Sequence, residues 1–255
     1  MTPPEYVRPT TIPEALNALR GGVALAGGTA VARRAREAAR LVDLQALGID
    51  QLQVEGDHVR LGAMLRLQQM VEAELPAALD EACRREAGVN LRNMASLGGT
   101  LLTCSGRSPL ATALLGLHVQ VRMEPGPQQW SFDELLARRG SLPGGLLITS
   151  VVFQVPLAMA QSAVARSPAD RPIVCAVVAR LAGRAPSFGV ALGGFGPRPI
   201  VIPEAELALA AGDVPGAAEA ARTVCATALD AWASAEYRAE VAATFIHRLA
   251  GEVGV

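Results

Sequence analysis

Two glycine pairs carry the residue spacing that points most directly at a ligand. Ala26-Gly27-Gly28-Thr29 follows a short apolar run, and Ala95-Ser96-Leu97-Gly98-Gly99-Thr100 lies in a segment rich in Asn, Ser and Gly. Glycine lets backbone N–H groups approach an anion because no Cβ stands in the way, and a helix starting at such a turn adds its positive end. A dinucleotide has two adjoining phosphates, so two such turns facing each other would grip one pyrophosphate without Lys or Arg. Taken singly, each turn is weak, because a tight bend with no ligand is at least as common.

Neighbouring chemistries lack a necessary residue. Gly22 to Thr29 nearly spells the phosphate loop of nucleotide hydrolases, but Gly28 stands where the lysine must reach the phosphates. Gly21, Gly22, Gly27 and Gly28 are wrongly spaced for the dinucleotide fingerprint of a βαβ unit. Ser105 and Ser108 flank a Gly-Arg pair with no GxSxG turn and no nearby His, so no activated nucleophile is expected. His58, His118 and His247 are too far apart to pair on one helix face, and no metal ligands or catalytic side chains are predicted.

The elements that must hold the turns follow from periodicity. Thr11, Pro13 and Glu14 open a capped helix through Leu19, and Gly21-Gly22 end it. Val23 to Ala26 suits a buried parallel strand, Thr29 caps an Ala- and Arg-rich helix over 30–40, and Leu41-Val42-Asp43-Leu44 is a second strand. Residues 1–53 thus read as a small αβαβ unit. Residues 54–61 alternate about Gly56-Asp57 as a hairpin, helical patterns follow at 67–71 and 77–87, and 90–100 reads as loop. A helix is expected over 109–117, then strands at 118–123 and 146–155 joined by a Pro/Gly-rich connection. Residues 158–172 have weak periodicity, 173–181 and 187–192 form a hairpin, and 205–255 supply two or three helices broken near residue 212. The fold class is α+β with a small N-terminal α/β unit, and the boundaries fall at 1–53, 54–157 and 158–255.

Bulk composition narrows the field further. With 23 Lys and Arg against 24 Asp and Glu there is no overall field for nucleic acid or an anionic membrane, so an anion site must be local. Cys83, Cys104, Cys175 and Cys225 show no CxxC spacing and read as separate reduced thiols of a cytoplasmic protein. The first residues do not resemble a signal peptide, and no apolar run approaches the roughly eighteen residues of a membrane span. Arg33, Arg34, Arg36 and Arg40 suit a solvated helix face, as do Arg84, Arg85 and Glu86; Trp130 and Trp232 suit anchors of small cores.

The motifs together resemble the FAD-binding subunit of the xanthine dehydrogenase and carbon monoxide dehydrogenase group of molybdenum hydroxylases. The likeness rests on Ala26 to Thr29 before Leu41 to Leu44, on Leu61-Gly62-Ala63, and most specifically on Leu91-Arg92-Asn93-Met94-Ala95-Ser96-Leu97-Gly98-Gly99. It continues through Leu192 to Pro199 and Ser234-Ala235-Glu236-Tyr237-Arg238, in the family's order along nearly the whole chain. The resemblance implies a PCMH-type FAD-binding fold followed by a C-terminal antiparallel sheet with helices. It implies FAD contacted by Leu25, Ala26, Gly27, Gly28, Thr29, Ala30 and Val31, and by Ser96, Leu97, Gly98, Gly99 and Thr100. It also implies a molybdopterin-binding large subunit and a [2Fe-2S] small subunit as partners, with electrons passing through FAD to an external acceptor. Three positions depart from the family pattern: Thr100 replaces an Asn, Pro109 an Asp, and Val164 a basic residue, although Arg166 is close by. Those departures remove polar contacts, so a flavin-free scaffold of the same architecture stays open, as does an unrelated binding protein whose glycine turns are only turns.

Overall fold

The computed structural model describes residues 3–31, 37–126, 128–168 and 170–255. By internal packing the chain divides into two compact units. The first comprises 1–73, 89–103 and 120–153, and the second 74–88, 104–119 and 154–255.

The first unit begins with β1 (Glu5–Val7), a strand too short and too exposed to register in the sequence pattern. The Ile12–Leu19 helix follows, opened by a capping box in which Thr11 Oγ1 accepts from Glu14 N and the Glu14 carboxylate accepts from Thr11 N. Its face of Ala15, Ala18 and Leu19 packs with Val42, Leu44, Met64 and Leu147 in one small core. Fully burying a leucine there contributes ~1.5–3 kcal/mol. Strands β2 (Val23–Leu25) and β3 (Arg40–Asp43) pair in parallel, and β1 joins the other edge of β3, giving the order β1-β3-β2. Of the helix expected over 30–40, residues 32–36, with Arg33, Arg34 and Arg36, lie outside the described residues; Ala30 and Val31 are turn, and Arg40 is not on a helix face but begins β3, where it pairs with Glu5.

A five-stranded sheet completes this unit in the order β4-β5-β8-β6-β7. β4 (Leu52–Glu55) and β5 (His58–Gly62) form the expected hairpin about Gly56, which takes φ +64° at the turn. β6 (Gln120–Glu124) and β8 (Leu147–Gln154) are central. The connection between them is more than a loop: it holds β7 (Gln128–Ser131) and a Phe132–Arg138 helix capped by Ser131 and Glu134. Residues 90–100 are likewise not a plain loop. They span a Val89–Arg92 turn of helix and the start of a Leu97–Thr103 helix, whose Leu97 and Leu101 are fully buried. Burial of an i, i+4 leucine pair outweighs the low helix propensity of Gly98 and Gly99.

The second unit is a four-stranded antiparallel sheet ordered β12-β11-β10-β9, with helices packed on both faces. β10 (Val174–Arg180) and β11 (Phe188–Gly193) are the expected hairpin, and β12 is the short Ile200–Val201 pair. β9 (Ala158–Val164), which showed only weak periodicity, pairs with β10 from Ala158↔Arg180 to Val164↔Val174. Its small residues carry little intrinsic strand preference, so the long-range pairing decides its conformation. Pro203–Ala210, Val214–Val224 and Ala235–Glu252 are the three C-terminal helices. Arg238 is fully buried among them, donating to the carbonyls of Ile173, Ala228 and Ala233 and to Asp230 at 2.7 Å. His118, expected to begin a strand, sits instead at φ +49° with Nε2 2.8 Å from the buried Glu206 carboxylate.

Candidate functional site

The first unit contains a cavity of about 570 Å³ whose wall includes Ala26 to Val31 together with Ser96, Gly98 and Gly99. The two glycine motifs, about seventy residues apart in sequence, therefore meet. Small-molecule sites usually span ~300–1,000 Å³, so the size suits a sizeable ligand.

The approach of the motifs is close and depends on glycine. A Cβ on Gly27 would lie 1.8 Å from the Met94 carbonyl oxygen, which also accepts a hydrogen bond from Arg66 Nη1. Gly98 packs on Ala63, where a Cβ would come within 3.0 Å of the Ala63 side chain. Gly28 takes φ +72°, the left-handed region that glycine occupies at least cost. Leu61-Gly62-Ala63 acquires its purpose here: Ala63 N donates to Thr149 O, and Ala63 O accepts from Gly98 N at 2.8 Å.

Hydrogen bonding separates the two motifs. In the second, Leu97 N donates to Leu65 O, Gly98 N to Ala63 O, Gly99 N to Ser96 Oγ and Thr100 N to Ser96 O, so all four amides have partners within the chain. In the first, no amide from Ala26 to Ala30 donates to an acceptor among the described residues. The described hydrogen bonds thus differ between the two turns. The first turn presents open donors, and the second shapes the opposing wall. An anion at the first turn would offer these N–H groups an acceptor.

Leu25, Leu97 and Thr100 stand apart from the other expected contact residues. Leu97 is fully buried in the core, and Thr100 Oγ1 donates to Ser96 O at 2.9 Å. None of the three lines the cavity. The sequence reading missed the segment 139–148, which supplies much of the remaining wall through Arg139, Leu142 and the Gly144-Gly145 turn. Its Pro/Gly signal marked it only as a connection. Leu102 and Thr103, in the last turn of the helix begun at Leu97, were missed because the segment leading into them read as loop. Asp43 is buried at the end of β3, where it accepts from Tyr6 Oη and Gln45 N and fixes β1 and the following loop. The hydrogen bond to Asp43 raises the Tyr6 pKa.

The departing positions lie in the second unit, Thr100 excepted. Pro109 is buried in the first turn of the Pro109–Gly116 helix. The acidic group beside it comes from Glu86, whose Oε2 accepts from Ser108 Oγ at 2.7 Å and Leu110 N at 3.2 Å. Glu86 is therefore not merely surface, and burial pushes its pKa up. Val164 ends β9 and packs against that unit's core. Arg166 lies over the Trp232 ring at 4.3 Å, with Arg107 at 4.5 Å, and is paired with Asp170. Trp232 is thus an exposed cation–π platform instead of a core anchor.

Comparison with known proteins places this arrangement in a family. Residues 2–157 match the model described as the FAD binding domain in molybdopterin dehydrogenase. The chain belongs to that family. It is 30% identical over 183 residues, 69% of each chain, to a protein of Escherichia coli K12 named uncharacterized protein YgfM. Its fold is that of a chain in carbon monoxide dehydrogenase from Hydrogenophaga pseudoflava, with TM-score 0.83 and 20% identity over 99% of this chain and 98% of that one. It also matches chains of the Oligotropha carboxidovorans CO dehydrogenase (TM-score 0.82, 21% identity, 99% of each) and of quinoline 2-oxidoreductase from Pseudomonas putida 86 (0.78, 19%, 99% and 98%). The α+β architecture is that of these proteins, and the reading of an unrelated protein with ligandless turns is set aside.

Proposed function

We propose that the chain is the FAD-binding electron-transfer subunit of a molybdenum hydroxylase complex. The observation that carries this reading is the convergence of both glycine motifs on one cavity, with the open amides of Ala26 to Ala30 along its wall. Leu25 to Val31 and Ser96 to Thr100 form the proposed diphosphate segment, the first by hydrogen bonding and the second by shape. Gly27 can lie against the Met94 carbonyl, and Gly98 against Ala63, because neither carries a Cβ, which holds both turns at the cavity wall. FAD, when bound, accepts electrons from one redox partner and delivers them to another. The chain's own residues orient the cofactor and shield it from water.

The partners in this reading are a molybdopterin-binding large subunit and a [2Fe-2S] small subunit, with substrate oxidised on the former. The support is family membership and the identities of the structural relatives. Among the described residues no group of His, Cys, Asp and Glu is placed to hold a metal, and no helix is long and apolar enough to cross a membrane. Four buried cysteines, none of them in a disulfide, support a cytoplasmic setting. The three-part division at residues 53 and 157 is proposed with it, supported by the family match ending at 157.

A second reading, a flavin-free scaffold of the same architecture, is favoured by one observation. The second motif's amides are engaged, and Thr100 turns its hydroxyl to Ser96 O. Purification of the native complex separates the two. Flavin absorbance, stoichiometric FAD released on denaturation and co-purifying molybdopterin and iron–sulfur subunits are expected from the first reading. A colourless complex that takes up no FAD from excess overturns it in favour of the scaffold.

A further inference from the structure

A second cleft of about 570 Å³ lies in the first unit, on the polar face of the five-stranded sheet. It is lined by Arg60 of β5 and Arg122 of β6, both half-buried. Neither guanidinium has an ion-pair or hydrogen-bond partner among the described residues. A polar face on an antiparallel sheet is ordinary, and such faces gain stability by setting opposite charges across from each other. This one does not. Arg60 lies opposite the neutral Gln53 of β4, and Arg122 lies between the neutral Gln129 and Ser150. Other arginines do carry such pairs, as in Arg40 with Glu5, Arg85 with Glu81, Arg222 with Glu219 and Glu240, and Arg238 with Asp230.

Strands β5 and β6 flank β8, which puts two inter-strand spacings, roughly 10 Å, between the backbones carrying the arginines. Arginine side chains are long enough to bridge that gap from the two walls of the cleft, and the guanidinium fork matches the geometry of a phosphate or carboxylate. The rest of the lining sets the class of ligand. Gln51, Gln53, Gln128 and Gln129 supply amide donors and acceptors, and Glu124 supplies an acceptor that would repel a second anionic group. No aromatic side chain is present to stack a base or a flavin ring.

We infer that this cleft is a binding site for a small phosphorylated polyol, with Arg60 and Arg122 holding the phosphate and the glutamines and Glu124 the hydroxyls. The site is separate from the glycine-lined cavity and does not depend on flavin binding there. Ile49 and Met123 line both, so the two cavities share a wall.

Isothermal titration of the full chain with glycerol 3-phosphate, inorganic phosphate and glycerol tests the assignment. Saturable binding of glycerol 3-phosphate below about 1 mM is expected, with weaker binding of phosphate and none of glycerol. The R60Q/R122Q variant is expected to lose at least about tenfold in affinity with an unchanged melt, because it removes two charge-assisted contacts from a solvent-facing row. R84Q/R85Q removes the same charge from an exposed helix and is expected to bind as the wild type does. Gly27→Ala is expected to retain binding too, which separates this cleft from the glycine turn. No saturable heat up to about 10 mM, which would leave only a solvated sheet face, overturns the proposal. So does undiminished binding by a folded R60Q/R122Q, or loss of binding in Gly27→Ala.

Discussion

Substituting Gly27 by alanine tests how the cavity wall is built. The added Cβ would fall 1.8 Å from the Met94 carbonyl oxygen and 2.6 Å from its carbon, both backbone atoms, whereas real contacts essentially never fall below 3.0 Å. The two segments must therefore separate by about an ångström, breaking the Arg66 to Met94 contact and displacing the open amides. Overpacking of this kind costs ~1–3 kcal/mol of stability, and under the proposed diphosphate contact misplacing two donor amides costs a further ~1.5–3 kcal/mol of binding each. Together these predict FAD affinity weakened by about two orders of magnitude or more, with a melting temperature lowered by only a few degrees. Gly28→Ala is the matched comparison. Its Cβ would meet nothing nearer than Leu25 Cδ1 at 3.6 Å, so only the left-handed backbone is penalised, by roughly 1 kcal/mol. The assay is titration of flavin fluorescence quenching against each variant, alongside thermal melts. If Gly27→Ala bound FAD within threefold of the wild type, the argument that this approach positions the donors would be wrong.

Other outcomes follow from buried charge and burial. Arg238→Met leaves Asp230 without its ion-pair partner and the Ile173 and Ala228 carbonyls without a donor, and urea unfolding should show a loss of ~3–5 kcal/mol. For Asp230, burial raises the pKa but the Arg238 hydrogen bond and charge outweigh it and hold the carboxyl below its ordinary value. Its contribution is therefore complete above the unfolded carboxyl range and lost as pH falls through the depressed folded value, so Asp230→Asn should lose stability at neutral pH and converge with the wild type in acid. Glu86 behaves oppositely. Burial raises its pKa, the folded state holds the proton more tightly, and stability declines as pH rises from the ordinary carboxyl value through the raised one. Glu86→Gln keeps an oxygen for Ser108 and Leu110 and should match or exceed the wild type at neutral pH, while Glu86→Ala should lose ~1–3 kcal/mol at every pH, both read by denaturant melts. Burial pushes the Cys175 thiol up to about 12, and all four cysteines are buried, so iodoacetamide at mildly alkaline pH should label none of them until the chain unfolds. Mass spectrometry would detect any exception.

Local chemistry made much of the chain legible from its residues. Thr11 and Glu14 cap a helix because the reciprocal bonds involve neighbours three apart, and Gly56-Asp57 turns a hairpin because the geometry is complete within four residues. The glycine motifs were legible for the same reason, as were the three C-terminal helices with their break at Gly212. What sequence pattern does not carry is long-range partnership. β9 is a strand because β10 lies beside it, and Glu86 is buried because Ser108 and Leu110 fold over it. Which glycine turn keeps its amides open was decided by Leu65 and Ala63, whose carbonyls reach Leu97 and Gly98 from about thirty residues away. A backbone N–H has one strong bond to give, and only the assembled chain determines whether it is given inward or left facing a ligand.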